Sequence, residues 1–349
     1  VSNSRRGVSA AALIAVMVAG VGAVSTLNAG AEENPAPAPA VTESPAQPGI
    51  TPPPRLPWGQ KPTEIQTGAA GTSSRRLKDA GLDAAPPDNS GAKYAPKGRT
   101  SRTGDLRSAP VAPVPPKPPA LRTEALKTVA AASTVLYHYN AGSQAAVTDG
   151  AYANFGIGKP TLALTDFHSL AELAVQSADG TQVVEVGWTV DRLVNGDTEP
   201  HLFVYHWVNG VPTCYNACGF VRYSTNIRPG DTLPEDTTKK LGIQYYDGAW
   251  WVAYDTEWVG YYPASRWGGT FTQTGNVQFF GEVAALSLAP CTEMGNGRNG
   301  NSDAAAARIS SVTYLNGPPV DLYVRSTSNH YDVARLSGRT FRYGGAGAC

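Results

Sequence analysis

Net charge, metal-ligand motifs and nucleotide loops are all missing from this 349-residue chain. Its 28 Lys and Arg balance 28 Asp and Glu, so there is no basic field for a nucleic acid. The five histidines, His138, His168, His201, His206 and His330, form no His-Glu-x-x-His, and neither a Gly-x-Ser-x-Gly elbow nor a phosphate-cradling glycine loop occurs. His201 and His206 stand five apart beside a predicted strand, and odd spacing sends their side chains to opposite faces, which argues against a shared metal. Serine, metal and nucleotide chemistry have no footing, and neither a metal nor a cofactor is expected. Aromatics are absent from residues 1–31, residues 32–120 hold only Trp58 and Tyr94, and the other 29 lie in 121–349. That last stretch, with 15 basic and 20 acidic side chains, alone has the material for a core, and it suits one domain of ordinary size.

The N-terminus has the layout of a secretory signal: Arg5-Arg6, an apolar run from Ala10 to Leu27, then Ala29-Gly30-Ala31 before Glu32 and Glu33. Residues 1–31 are predicted to be a signal peptide and the protein to be exported. Arg5-Arg6 is compatible with the twin-arginine route, although the next residues do not complete the longer motif. The competing reading is an uncleaved anchor, since about 20 apolar residues can span a bilayer. Abundant Ala and Gly make this run only weakly hydrophobic, so cleavage is expected, leaving no integral membrane domain. Residues 32–120 contain 19 of the 28 prolines and few large apolar residues. Such a segment cannot bury enough surface to offset its ordering entropy, and it is predicted to be disordered with polyproline II stretches. It reads either as a spacer or as a removable pro-segment, with Arg75-Arg76 and Arg99 to Arg102 as cleavage sites.

Residues 121–349 carry many short β-type runs, among them 181–190, 202–207, 249–254, 277–288 and 308–315, separated by turn signals such as Asn209-Gly210 and Asp247-Gly248. Helical candidates are few, chiefly 121–131 and 170–174. The pattern predicts an all-β antiparallel sandwich or barrel. Four cysteines in an exported chain imply disulfides with three possible pairings. The expected pairing closes a tight loop between Cys214 and Cys218 and ties Cys291 to the terminal Cys349. A zinc site is the competing reading, weakly supported by Cys-x3-Cys without a nearby histidine pair.

Carboxylates remain as the candidate chemistry. In 183–190 the period-2 pattern puts Val184, Val186, Trp188 and Val190 on one face and Glu185 with Gly187 on the other, where the glycine leaves room for an approaching group. In 278–286 the same count groups Gln278, Phe280, Glu282, Ala284 and Leu286, so Glu282 falls on a largely apolar face where a lone carboxylate is costly. The plain alternative is that each glutamate sits on a solvated face or pairs with an arginine.

Gly187-Trp188, Leu202-Phe-Val-Tyr-His-Trp207 and Cys214-Tyr-Asn-Ala-Cys-Gly-Phe220 resemble the core signature of the neprosin family of secreted glutamic peptidases. Further matches follow in order: Trp250-Trp251, Gly260-Tyr-Tyr-Pro263, Phe280-Gly-Glu-Val283, Thr292-Glu-Met-Gly295 and Phe341-Arg-Tyr-Gly-Gly345 before Cys349. The resemblance covers about residues 135–349 and none of the Pro-rich stretch. It implies a sandwich of two antiparallel sheets, with catalytic glutamates at Glu185 and Glu282 and disulfides Cys214–Cys218 and Cys291–Cys349. It also implies a prolyl endopeptidase-like activity under acidic conditions on a peptide or protein substrate, with proline-rich ones the first to test. Separately, the protein is expected to be a monomer. Tyr215 and Gln278 are candidate hydrogen-bond donors to an oxyanion. Trp188, Tyr215, Trp250, Trp251, Tyr261 and Tyr262 are flat surfaces that suit a proline ring. Two other readings stay open: a non-catalytic cell-wall-binding sandwich on a Pro-rich stalk, and a two-carboxylate glycosidase.

Overall fold

A computed structural model describes residues 49–62 and 135–349; the predicted leader and the helical candidate at 121–131 lie outside them. Apolar residues that alternate along short runs leave a chain one way to bury them, which is to stack sheets face to face. In chain order the strands are β1 (Leu136–Gln144), β2 (Gly150–Ile157), β3 (His168–Gln176), β4 (Val183–Val190), β5 (His201–Val208), β6 (Val211–Pro212), β7 (Val221–Arg222) and β8 (Thr237–Tyr246). They continue with β9 (Ala249–Tyr254), β10 (Glu257–Pro263), β11 (Asn276–Ala285), β12 (Arg308–Leu315), β13 (Tyr323–Ser326), β14 (Asp332–Ser337) and β15 (Thr340–Gly344). One sheet has the order β13-β1-β11-β3-β4-β5-β6, the other β14-β15-β12-β2-β8-β9-β10-β7. The pairings within both sheets are antiparallel, as the alternating pattern predicts.

Two turns show how the sequence sets the hairpins. Asn209-Gly210 and Asp247-Gly248 each take positive φ at both positions, 52° and 75°, then 47° and 76°. That is the backbone a two-residue hairpin needs to match strand twist, and Gly and Asn or Asp tolerate it best. They join β5 to β6 and β8 to β9.

Between the sheets lies the main core, in which Val184, Val186, Trp188, Val204 and Phe279 of the first sheet meet Phe155, Ile243, Trp250, Val252 and Tyr262 of the second. The segment 170–174, read as helical from the sequence, is instead the middle of β3. Leu, Ala and Glu are good helix formers, but hydrogen bonding to β11 on one side and β4 on the other outweighs a propensity worth only tenths of a kcal/mol per residue. Lys239 and Asp255 pair at 3.1 Å in full burial beneath the β9–β10 hairpin.

Within the Pro-rich stretch expected to lack fixed structure, residues 49–62 pack against the outer face of the second sheet, with Leu56 buried among Trp251, Trp258 and Tyr261. Three consecutive prolines have little backbone freedom left to lose, so ordering them costs less than ordering a typical loop.

Both disulfides form as expected, Cys214–Cys218 with Cα atoms 5.9 Å apart and Cys291–Cys349 with 5.0 Å, which leaves none of these sulfurs as a zinc thiolate. The second closes a loop across 58 positions. On chain-entropy grounds, Cys291→Ser with Cys349→Ser is expected to lower stability by about 4 kcal/mol. A urea midpoint unchanged by the double substitution would rule this out.

Candidate active site

The outer face of the first sheet carries the carboxylates. Alternation along β4 sends Glu185, Gly187 and Thr189 outward while Val184, Val186 and Trp188 enter the core, and along β11 it sends Gln278, Phe280 and Glu282 to that same outer face. Glu185 and Glu282 therefore share a face, as the spacing predicts. The register places them in different rows. Gln278 lies opposite Ala174, which lies opposite Glu185; Glu282 lies opposite Leu170, which lies opposite Thr189. Two strand spacings and four residues separate the two glutamates, roughly 16 Å between Cα atoms.

Midway between them is a residue that the sequence reading overlooked. Glu172 of β3 lies opposite Phe280 on one side and Gly187 on the other, so it is a diagonal neighbour of both Glu185 and Glu282. Diagonal neighbours on a sheet stand about 7–8 Å apart. Glu185, Glu172 and Glu282 thus form an oblique line of three carboxylates, each buried. Had β3 been read as a strand, period-2 counting would have placed His168, Leu170, Glu172, Ala174 and Gln176 on this face.

Each end of the line is held. Glu185 Oε1 accepts the indole N–H of Trp207 at 3.1 Å. Glu282 Oε1 is 2.8 Å from His168 Nε2, whose other nitrogen faces Asp191 Oδ2 at 3.8 Å. Asp191 also caps the short helix Arg192–Asn195, accepting from the backbone N–H of Leu193 and Val194. Burial pushes its carboxyl above the usual range, against the pull of nearby His168. Gln278, a candidate oxyanion donor, has its carbonyl oxygen fixed as acceptor for Gln176 Nε2 at 2.8 Å, while Gln176 accepts from Asn276 at 3.2 Å. That chain turns the Gln278 NH2 away from Gln176, in a row where only the Ala174 methyl intervenes before Glu185.

Gly187 has a different use from the one its position suggested. A Cβ there would collide with the Ala171 carbonyl and lie 2.7 Å from both Glu172 Cβ and Phe203 Cε1. The space is already filled by the chain itself. Because the Ala171 backbone cannot yield, Gly187→Ala is expected to cost 3 kcal/mol or more, about the upper end of overpacking penalties. Thermal melting no lower than that of the parent would contradict this packing.

The aromatic residues divide among three places. Trp188, Trp250 and Tyr262 lie in the inter-sheet core, and the Trp188 indole donates to the Gly156 carbonyl at 3.0 Å, so Trp188 does not line the carboxylate face. Its own strand alternation, opposite in phase to Glu185, is the reason. Trp251 and Tyr261 lie on the far side of the molecule, under residues 49–62. Of the rings singled out from the sequence, Tyr215 packs at the carboxylate face, edge-on to Phe203 and Tyr205. The rings flanking the carboxylates are Tyr137, Tyr139, Phe203, Tyr205, Trp207 and Phe280.

The protein is thus an antiparallel sandwich with three buried carboxylates on one outer face. The Neprosin family profile matches residues 165–346, and the chain belongs to the Neprosin family. Among solved structures, scytalido-glutamic peptidase bound to a peptide-based transition state analogue is similar at 12% identity and TM-score 0.35, over 61% of this chain and 100% of that one. A member of the eqolisin family of peptidases in complex with a tripeptide matches at 10% identity and TM-score 0.33, over 61% and 100%. A homodimeric agglutinin from chicken liver matches at 8% identity and TM-score 0.27, over 43% and 96%.

Proposed function

We propose that this protein is a glutamic endopeptidase that hydrolyses peptide bonds at acidic pH, with a preference for cleavage after proline, using Glu185 and Glu282 and aided by Glu172. The observation that carries the reading is the oblique line of three buried carboxylates, set among aromatic rings in a chain of the Neprosin family. Three carboxylates at successive diagonal positions on a buried face oppose one another's ionisation, so the group holds at least one proton over an acidic window.

The chemistry then balances without a metal. An ionised glutamate takes a proton from a water, whose oxygen bonds to the scissile carbonyl carbon. The oxyanion accepts the Gln278 NH2, and a protonated glutamate delivers its proton to the leaving nitrogen as the C–N bond breaks. The proton gained by the base returns the set to its starting charge. Glu172, adjacent to both ends, is placed to carry that proton between turnovers. Flat rings such as Tyr205 and Tyr215 beside Glu185 suit a proline side chain. Export is part of the proposal, supported by the leader-like residues 1–31 and by disulfides that persist in oxidising compartments.

The test is mass spectrometry of a proline-rich peptide pool incubated with the full chain from about pH 3 to about pH 7, beside its Glu185→Gln variant. Cleavage after proline that vanishes in the variant supports the proposal. Intact peptides throughout, with a folded protein, would overturn it.

A further inference from the structure

The sandwich has a second built surface, on the side opposite the carboxylates. Trp250 and Val252 of β9 enter the inter-sheet core, so Ala249, Trp251 and Ala253 face outward, joined by Trp258 and Tyr261 of β10 and Val221 of β7. Small alanines and large rings alternate, giving a furrow with aromatic walls. The chain's own residues 49–62 occupy it. Pro53, Leu56 and Pro57 are buried, and the Trp258 indole donates to the Pro53 carbonyl at 3.1 Å. Gly242 of β8 makes the approach possible: a Cβ there would lie 3.0 Å from Pro57 Cγ and 3.3 Å from the Trp58 ring. Trp58 packs edge-on to Tyr152, with the Lys240 ammonium 5.8 Å from its centroid. At the other end Thr51 donates from both its N–H and its hydroxyl to Asp247, at 3.1 and 2.9 Å.

We propose that this furrow is a binding site for proline-rich peptides, and that residues 49–62 are its in-chain occupant. They are held through the Pro53 carbonyl and the Pro57 ring, with a turn at 56–60 in which the Gly59 N–H donates to the Leu56 carbonyl and the Leu56 N–H to the Gln60 carbonyl, both at 2.8 Å. Proline has no N–H, so a proline-rich segment offers carbonyl oxygens and flat rings. Its recognition uses aromatic walls and indole donors. The furrow supplies both, and it has capacity beyond its present occupant. The Trp251 indole nitrogen, buried in the same cluster, has no hydrogen-bond partner among the described residues. Beside Trp251 stands Tyr223, 5.4 Å away edge-on and 53% exposed, continuing the aromatic wall outside the occupied part. Because the furrow and the carboxylates lie on opposite outer faces, its occupant does not plug the candidate active site. A proline-rich polymer could be held on one face while another stretch meets the carboxylates on the other.

A covalently tethered occupant outcompetes a free peptide by its effective concentration, so the test loosens the tether's grip first. Leu56→Asp in the full chain puts a charge where Leu56 is buried and should vacate the furrow. Fluorescently labelled peptides, one with the sequence of residues 49–62 and one a proline oligomer, are then titrated and followed by anisotropy. Saturable binding of both to Leu56→Asp, at least about tenfold tighter than to the parent chain, is expected. Adding Trp258→Phe, which removes the donor and keeps the ring, should weaken both about fivefold or more. Gly242→Ala, which narrows the floor without touching Trp258, should do the same and serves if the tryptophan variant fails to fold. A folded Leu56→Asp chain that binds neither peptide overturns the site. Binding of the 49–62 peptide alone overturns the ligand class, and equal binding to parent and Leu56→Asp overturns the location.

Discussion

Glu185→Gln and Glu282→Gln are each expected to lower kcat by about 100- to 10,000-fold, the range general acid–base groups contribute, while the thermal midpoint stays close to that of the parent. Each substitution keeps the shape of the side chain and one hydrogen-bond acceptor, so Trp207 still has an oxygen at position 185 and His168 one at position 282. Glu172→Gln separates two arrangements of the same face. With Glu172 as proton carrier between the ends, its amide variant retains activity at a reduced level and its pH profile changes shape, because one titrating group is gone. If Glu172 is instead the direct partner of Glu185, its variant is as inactive as the other two. The diagonal register makes both arrangements concrete enough to measure, by initial rates on one proline-containing peptide across the acidic range. Full activity in both Glu185→Gln and Glu282→Gln would remove the proposed chemistry altogether.

Acid stability is the second large effect, and its main origin is His206, with buried His138, also pushed down by burial, acting in the same direction. The His206 side chain points from β5 into the core against Tyr262 at 4.4 Å and Trp267 at 5.7 Å between ring centroids. Burial first, and then the charge of Arg266, lower its pKa to about 3. In the unfolded chain it takes up a proton near 6.5. The unfolded state therefore binds more protons between these values, and stability falls as the pH drops from 6.5 towards 3. Over the whole window the loss is on the order of 5 kcal/mol. Asp191 acts with the opposite sign: its raised carboxyl takes up a proton in the folded state before the unfolded one, which favours folding on acidification. The expected result is a urea midpoint that declines between about pH 7 and about pH 4, with a shallower decline in His206→Gln. Parallel declines in the two proteins would show that His206 is not the acid-sensitive group. For an enzyme proposed to work in acid, this histidine sets a lower limit on the useful pH.

Much of the architecture was legible because alternation is local. The faces of β4 and β11 follow from counting by two, and Glu185 and Glu282 fall on the outer face as that count requires. Local patterns do not reveal which strands lie side by side. β11 inserts between β1 and β3, 100 residues or more away in sequence, and that insertion fixes the rows. Glu172 escaped notice because Leu170-Ala-Glu-Leu-Ala174 is made of helix formers and lacks the β-branched residues that mark β4. Trp188 was drawn toward the substrate by its chemistry, although its phase along β4 already placed it in the core. Residues 49–62 were hidden by their composition: a run of prolines reads as unstructured until an aromatic surface is there to receive it.

The lateral limits of the two sheets bear on how the protein behaves at high concentration. Three of the four outermost strands are very short, β6 and β7 with two residues each and β13 with four, and β6 ends in Pro212, which has no N–H to offer. The fourth, β14, carries Asp332 and Arg335 along its length. Unpaired backbone at a sheet margin is a template for strand addition by another chain, and short, proline-bearing or charged margins deny it. Large sheets, with many buried apolar side chains, are thereby kept from growing sideways into aggregates.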